Sequence, residues 1–312
     1  MNKSFQNKII WFLLPVLVVW LSTEIFYRTT ATNYTVKAKN VVARYPTTEI
    51  LVFGDSHALY GINPTYFERE TFNIANISQS LYFDELLLEK HLEKHQDVKA
   101  IVLNISYFTL SQKENSLEDA WRKYFYDQQM DLDVPTVSFL SPKKYSLALA
   151  RRFKKSVVLM HEYHKNGTIV GCTETGYGLQ DARDIVSNKE ETSKLIAKKH
   201  EDGSLDFSNN IARLERMIKK CKDNGVRVFL IEMPVHKTYY SLLNQGKKEK
   251  INSSCTSLAT RFENTYFFDY SIDPAFIDAD LRDADHLTNE GAAKFSKRLN
   301  DQISEVLQPK KE

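Results

Sequence analysis

The 312-residue chain is 42% hydrophobic and 12% aromatic, enough to bury a full core, so disorder is excluded as its default state. Its 42 basic and 40 acidic residues leave a formal charge of only +2, which excludes the strong positive field of a nucleic-acid-binding protein. Cys172, Cys221 and Cys255 match no zinc-ligand spacing, and one disulfide with a free thiol or three reduced thiols both remain open.

Ile9 to Leu21 is an unbroken apolar run, and after Ser22, Thr23 and Glu24 come Ile25, Phe26 and Tyr27. As a helix, residues 9–27 would extend about 28 Å, close to the roughly 30 Å hydrocarbon layer of a bilayer. Trp11, Trp20 and Tyr27 suit the interfaces. The competing reading is a cleaved signal peptide, but no clear small-x-small site follows, so residues 1–30 are read as a membrane anchor. Lys3 and Lys8 precede the span, whereas Arg28, Lys37, Lys39 and Arg44 follow it. This count disfavours a cytoplasmic N-terminus, yet a large following domain is translocated despite a few charges. The expected topology is single-pass, with the folded domain outside the cytoplasm.

Residues 31–48 read as a polar connector. Beyond it, short apolar runs alternate with helix-length amphipathic stretches. Strands are expected at Glu49–Phe53, Phe72–Ala75, Ala100–Ile105, Val226–Met233 and Tyr266–Asp269. Helices are expected at Asp84–His95, Asn209–Asn224, Lys250–Phe262 and Asn289–Leu307. Such alternation predicts an α/β domain over 49–308 with a five-stranded parallel sheet, because parallel neighbours need crossover connections. The aromatic and charged interval at about 110–205 breaks the rhythm and reads as an insertion over the active face.

The first strand ends in Phe53-Gly54-Asp55-Ser56-His57. A serine just past the carboxyl end of a buried strand lies where open α/β sheets bind ligands, and Gly54 permits the turn that exposes it. A hydroxyl needs a base to become a nucleophile. His57 is a sequence neighbour that would point elsewhere. The better candidate is His286 in Asp283-Ala284-Asp285-His286-Leu287-Thr288, where Asp283 can fold back to accept from one ring nitrogen and leave the other for Ser56. Each motif alone is most often a turn, a cap or surface; together, at the two ends of a five-strand pattern, they form a candidate triad.

Gly54-Asp55-Ser56 with Asp283-x-x-His286-Leu287-Thr288 resembles the SGNH/GDSL hydrolases over about 49–109 and 209–305. The resemblance implies a three-layer α/β/α flavodoxin-like sandwich, with Ser56 carrying the acyl group, His286 as base, Asp283 orienting it, and neither metal nor organic cofactor. It also implies an oxyanion hole from the backbone N–H groups of Ser56 and a second-block glycine, for which Ser78 is the nearest equivalent in Asn73-Ile74-Ala75-Asn76-Ile77-Ser78. The third block departs: Gly-x-Asn-Asp is replaced by Ile105-Ser106-Tyr107-Phe108-Thr109, so the usual side-chain donor is missing. Loss of one such donor typically costs about a hundredfold to a thousandfold in rate. Asn76, Gln79 and Asn104 are candidate substitutes. This departure, the anchor and the block Trp121–Tyr126 resemble the branch that works beside membrane-bound O-acyltransferases in teichoic acid D-alanylation or polysaccharide O-acetylation.

Other residues carry two readings each. Asp278, Asp280, Asp283 and Asp285 read as a solvated acidic loop rather than a cation site, with Asp285 a bystander to the triad. His236 follows the fourth strand and is either a substrate contact or a solvent-facing loop histidine. His161 and His164 share a helical face and read as wet surface. Trp121 and Tyr124 either stack on a sugar or pack the insertion. The expected function is a serine-dependent esterase or O-acyltransferase acting on an extracytoplasmic carbohydrate or cell-envelope polymer. Its partners would be that polysaccharide, the bilayer through residues 9–27 and a multispanning O-acyltransferase. The alternative is a non-catalytic polysaccharide-binding or scaffolding partner of such a transferase.

Overall fold

In chain order the elements are α1 (Lys3–Thr29), α2 (Asn33–Ala43), β1 (Ile50–Phe53), α3 (Ser56–Gly61), β2 (Thr71–Asn73), α4 (Leu81–His91), β3 (Ala100–Asn104), α5 (Asp119–Gln129), α6 (Leu147–Ala150), α7 (Phe153–Asn166), α8 (Lys189–His200), α9 (Ser208–Asp223), β4 (Arg227–Glu232), α10 (Lys237–Leu242), α11 (Gln245–Arg261), β5 (Thr265–Asp269) and α12 (Asn289–Leu307). The structure is a computed structural model that describes residues 3–308. Met1 and Asn2 of the expected anchor lie outside the described residues. Among the described residues two compact units form, one from the residues up to 38 together with 120–170, the other from 39–119 together with those from 171 onward.

The second unit holds a five-stranded sheet in the order β2-β1-β3-β4-β5. All neighbours are parallel, with Ile50 opposite Thr71 and Ala100, Ala100 opposite Arg227, and Val228 opposite Thr265. Strand side chains alternate between faces. Ile50, Val52, Ala100, Val102, Phe229 and Ile231 pack with Leu59 of α3 and with Phe295, Leu299 and Ile303 of α12. Leu51, Phe53, Ile101, Leu103, Val228 and Leu230 are also buried and point to the opposite face. There α9 packs on α4 and β4, and α11 packs on β5. Leu214, Met217, Ile218 and Cys221 form the buried stripe of α9. The result is the three-layer α/β/α arrangement, and burial of each large aliphatic side chain contributes about 1.5–3 kcal/mol. All three cysteines are buried, and burial pushes the Cys221 thiol up to about 12.

In the first unit, α1 is long and apolar enough to cross a membrane. Its residues Ile10, Trp11, Phe12, Leu13, Val16 and Leu17 are exposed apolar side chains. The last turns are different. Trp20 Nε1 donates to Ser146 Oγ at 3.0 Å, and the Glu24 carboxylate accepts from Ser146 Oγ at 2.8 Å and the Ala148 N–H at 3.0 Å. Buried Tyr27 meets Ser156 Oγ at 2.8 Å and turns its ring edge to Phe125. Arg28 donates to Gln128 Oε1 and the Tyr145 carbonyl.

These boundaries correct the expected organisation. Most of the supposed connector at 31–48 is helical, as α2. The interval 110–205 is not one insertion: 120–170 joins the N-terminal helix, whereas 171–205 folds with the sheet. Amphipathic helices that bury against α1 carry no sheet periodicity, so the sequence rhythm broke there without revealing which part belonged where.

Candidate active site

Gly54 ends β1 with φ +124°, and a Cβ there would lie 2.9 Å from that of Asn104. Only glycine makes this turn at so close an approach. The Asp55 carboxylate caps α3 by accepting the His57 N–H at 2.9 Å, which sets Ser56 at the first position of the helix, partly exposed.

The opposing loop is built around Asp283. Its Oδ1 accepts the backbone N–H of Asp285 at 3.1 Å and of His286 at 2.9 Å, so one carboxylate closes the turn. The Arg282 N–H donates to the His286 carbonyl, Leu281 bridges Leu287, and Thr288 caps α12 through the Gly291 N–H. A Cβ on Gly291 would collide with the Asp280 carbonyl at 2.1 Å, so glycine lets the helix start against this loop. The turn also delivers the imidazole. His286 Nε2 lies 2.9 Å from Ser56 Oγ, and Nδ1 lies 3.0 and 3.1 Å from the two oxygens of Asp283. With Nδ1–H donating to Asp283, Nε2 is left to accept from the serine hydroxyl.

Sequence reasoning missed a second layer. Asp285 is not a solvated bystander: it is 2% exposed, with Oδ1 3.2 Å from His286 Nδ1 and Oδ2 3.2 Å from His57 Nε2. His57 does not point away either. Its ring stacks on that of His286 with centroids 4.7 Å apart, and its Nδ1 meets Asp55 Oδ1 at 2.9 Å and Ser106 Oγ at 3.1 Å. Burial alone would lower the His57 pKa, but Asp55 and Asp285 hold it well above the ordinary histidine value. Burial likewise opposes charge on His286, yet Asp285 first and Asp283 second raise its pKa. Burial would raise Asp285, and His286 and His57 together carry it well below the carboxylate range. The sequence signal for both was adjacency, His57 beside Ser56 and Asp285 beside His286, which gives no direction for a side chain.

The candidate donors separate. Gln79 Nε2 donates to Asp84 Oδ1 at 2.6 Å, and Asn104 Nδ2 donates to Asp55 Oδ1 and Ser106 Oγ, so both are engaged. Asn76 is 3% exposed, its N–H donates to the Gly54 carbonyl, and its Nδ2 finds no acceptor among the described residues. Ser78, at φ +52°, occupies the left-handed region that favours glycine, in the turn closed by the Gln79 N–H on the Asn76 carbonyl.

The remaining expectations resolve into packing. His236 is buried, caps α10 by accepting the Thr238 N–H, lies 3.1 Å from Asp278 through Nε2, and donates its N–H to the Ala284 carbonyl. It therefore braces the histidine-bearing loop instead of facing solvent. Asp278 and Asp280 pair with Lys189 and Lys294. His161 and His164 are exposed on α7. In the first unit, Tyr124 is buried with its hydroxyl on Ser141, and Arg122 and Arg151 stack on Trp121, so packing accounts for both aromatics.

No protein-family model matches the chain, and no curated protein matches it in sequence. Solved structures give low-level likenesses. The chain is similar to a GDSL-like lipase from Bacteroides thetaiotaomicron at 10% identity and TM-score 0.44, over 88% of this chain and 98% of that one. A Streptococcus pneumonia protein described as a candidate platelet activating factor aligns at 15% identity and TM-score 0.43, over 94% and 98%. A candidate acylhydrolase from Bacteroides fragilis aligns at 11% and 0.42, over 86% and 94%.

Proposed function

We propose that the protein is a membrane-anchored serine esterase or O-acyltransferase of the SGNH/GDSL type. The observation that carries this reading is the 2.9 Å approach of Ser56 Oγ to His286 Nε2, with carboxylates on the other ring nitrogen. That is the geometry in which a hydroxyl loses its proton as it attacks.

In this mechanism Ser56 Oγ bonds to the acyl carbonyl carbon while its proton passes to His286 Nε2. The oxyanion is held by the N–H groups of Ser56 and Ser78, and the unpartnered Nδ2 of Asn76 supplies the side-chain donor that the third block lacks. Collapse breaks the bond to the leaving alkoxide, which takes the proton back from His286. Water or a sugar hydroxyl then attacks the acyl-serine and gives its proton to His286, which passes it to Ser56 Oγ as the acyl–serine bond breaks. Asp285 and Asp283 beside Nδ1 favour the imidazolium formed in each transition state and outweigh the opposing charge of the stacked His57.

For substrate we assign an acylated carbohydrate or polymer of the cell envelope, with a multispanning O-acyltransferase as partner; the anchor and the resemblance to that branch support this assignment. The folded part would then lie outside the cytoplasm. The test is a purified assay of acyl release from, or transfer to, an acylated oligosaccharide. Ser56→Ala and His286→Ala should each abolish nearly all activity, and the double change should add little, because such residues act as one unit. Equal activity in all variants would leave a binding or scaffolding role.

A further inference from the structure

In the first unit, residues 139–160 contain Lys143, Lys144, Arg151, Arg152, Lys154 and Lys155 and no acidic residue. Lys144 reaches Asp127 and Arg151 stacks on Trp121, but Lys143, Arg152, Lys154 and Lys155 have no acidic partner among the described residues. The same segment exposes large apolar side chains: Phe139 is 70% and Leu140 78% exposed, and Tyr145, Leu149, Phe153, Val157 and Val158 are also exposed. Of the 14 residues of α7, only Ser156 is buried. A 14-residue helix with that much uncovered apolar surface, and with Glu162 its one acidic residue, is unfavourable in water.

The segment is also fixed to the end of α1. Ser146 and Ala148 bond to Trp20 and Glu24, Ser156 to Tyr27, and the ring of Tyr163 packs edge-on against Phe26. The exposed apolar and basic side chains are thus continuous with the point where the apolar helix ends.

We infer that residues 139–158 form a docking platform for the acidic-phospholipid surface of the leaflet in which the C-terminal end of α1 sits. Apolar and aromatic side chains enter the headgroup layer, and the lysines and arginines pair with lipid phosphates. This combination is the chemistry of an interfacial amphipathic segment. Each basic side chain near an anionic surface favours contact by about fivefold, so four unpaired ones make the docked state dominant. The inference rests on α1 being a membrane anchor. Its consequence is that the first unit is held flat on the membrane rather than swinging on a single helix.

The test uses the full chain in nanodiscs of phosphatidylcholine alone or mixed with phosphatidylglycerol, with a quencher on the lipid headgroup. Because Cys172, Cys221 and Cys255 are buried, a fluorophore can be placed on Leu140→Cys, Phe153→Cys or Leu17→Cys. Strong quenching is expected at 140 and 153 in the acidic discs, at least several-fold less in neutral discs, and the difference should vanish when Lys143, Arg152, Lys154 and Lys155 are changed to Glu. Unquenched labels at 140 and 153, or equal quenching in both lipids, would overturn the platform. The label at 17, read in separate discs that carry the quencher on the acyl chain, reports the anchor itself: if it stays unquenched there, the anchor reading fails first, whereas a quenched 17 with unquenched 140 and 153 sinks only the platform. The labelled chains keep their native charges, so the comparison of the two lipids does not depend on the fourfold variant folding.

Discussion

Two carboxylates converge on Nδ1 of His286, Asp283 at 3.0 Å and Asp285 at 3.2 Å, and this changes what each substitution should do. In a triad with a single orienting acid, the change to Asn costs about ten-thousandfold. Here Asp283→Asn leaves Asp285 in reach, so the loss in kcat should be smaller than that, and the double change to Asn should be much worse than either alone. The pH profile separates the two acids. His286 must be neutral to accept the serine proton, and its pKa is raised, with Asp285 the largest favourable charge. Activity should therefore fall as pH drops through a value above the ordinary histidine pKa of about 6.5. Asp285→Asn removes that charge, so the acid limb should move to lower pH even as the rate falls. An unmoved limb in a pH–kcat/KM series would mean that Asp285 does not face the working base.

At the scale of elements, the loops at the carboxyl ends of β1 and β2 are joined by Asp84 of α4. Its Oδ1 accepts both the Gly54 N–H at 3.0 Å and Gln79 Nε2 at 2.6 Å. Burial pushes this carboxyl up to about 8, so near neutral pH it is mostly protonated. Asp84→Asn keeps an acceptor oxygen and should change stability little, whereas Asp84→Ala strands two buried donors and should cost about 1–3 kcal/mol. Denaturant melts of both variants distinguish these outcomes. The elements themselves were largely legible. The five strand positions and the helix at Asn289–Leu307 follow from periodicity and capping, because a parallel sheet buries continuous apolar runs and Thr288 and Gly225 punctuate the chain. What the sequence could not show was direction within loops. Ser56, Asp283 and His286 were placed by spacing, but the stacking of His57, the burial of Asp285 and the free amide of Asn76 depend on how two distant loops meet. The helices of residues 120–170 were hidden for a related reason, since their partner is an N-terminal helix and not the sheet.

On the scale of the whole molecule, the end of α1 is part of a folded unit. Removal of Trp20, Glu24 and Tyr27 would take from Ser146 and Ser156 their partners on α1 and from Phe125 one of its ring contacts, and Tyr27 alone buries a large aromatic side chain. The mature chain isolated from membranes should accordingly retain the helix, and intact-mass measurement should find no species beginning near residue 31. Under the proposed function, that result would put chemistry and anchoring on one uncleaved chain. The most direct test of the chemistry is covalent labelling with a fluorophosphonate probe, which reacts only with a serine whose proton a base can take. One adduct is expected, mapped by peptide mass spectrometry to Ser56, lost in Ser56→Ala and strongly slowed in His286→Ala. No labelling of the folded native chain, or labelling at full rate in His286→Ala, would contradict a nucleophilic Ser56 served by His286.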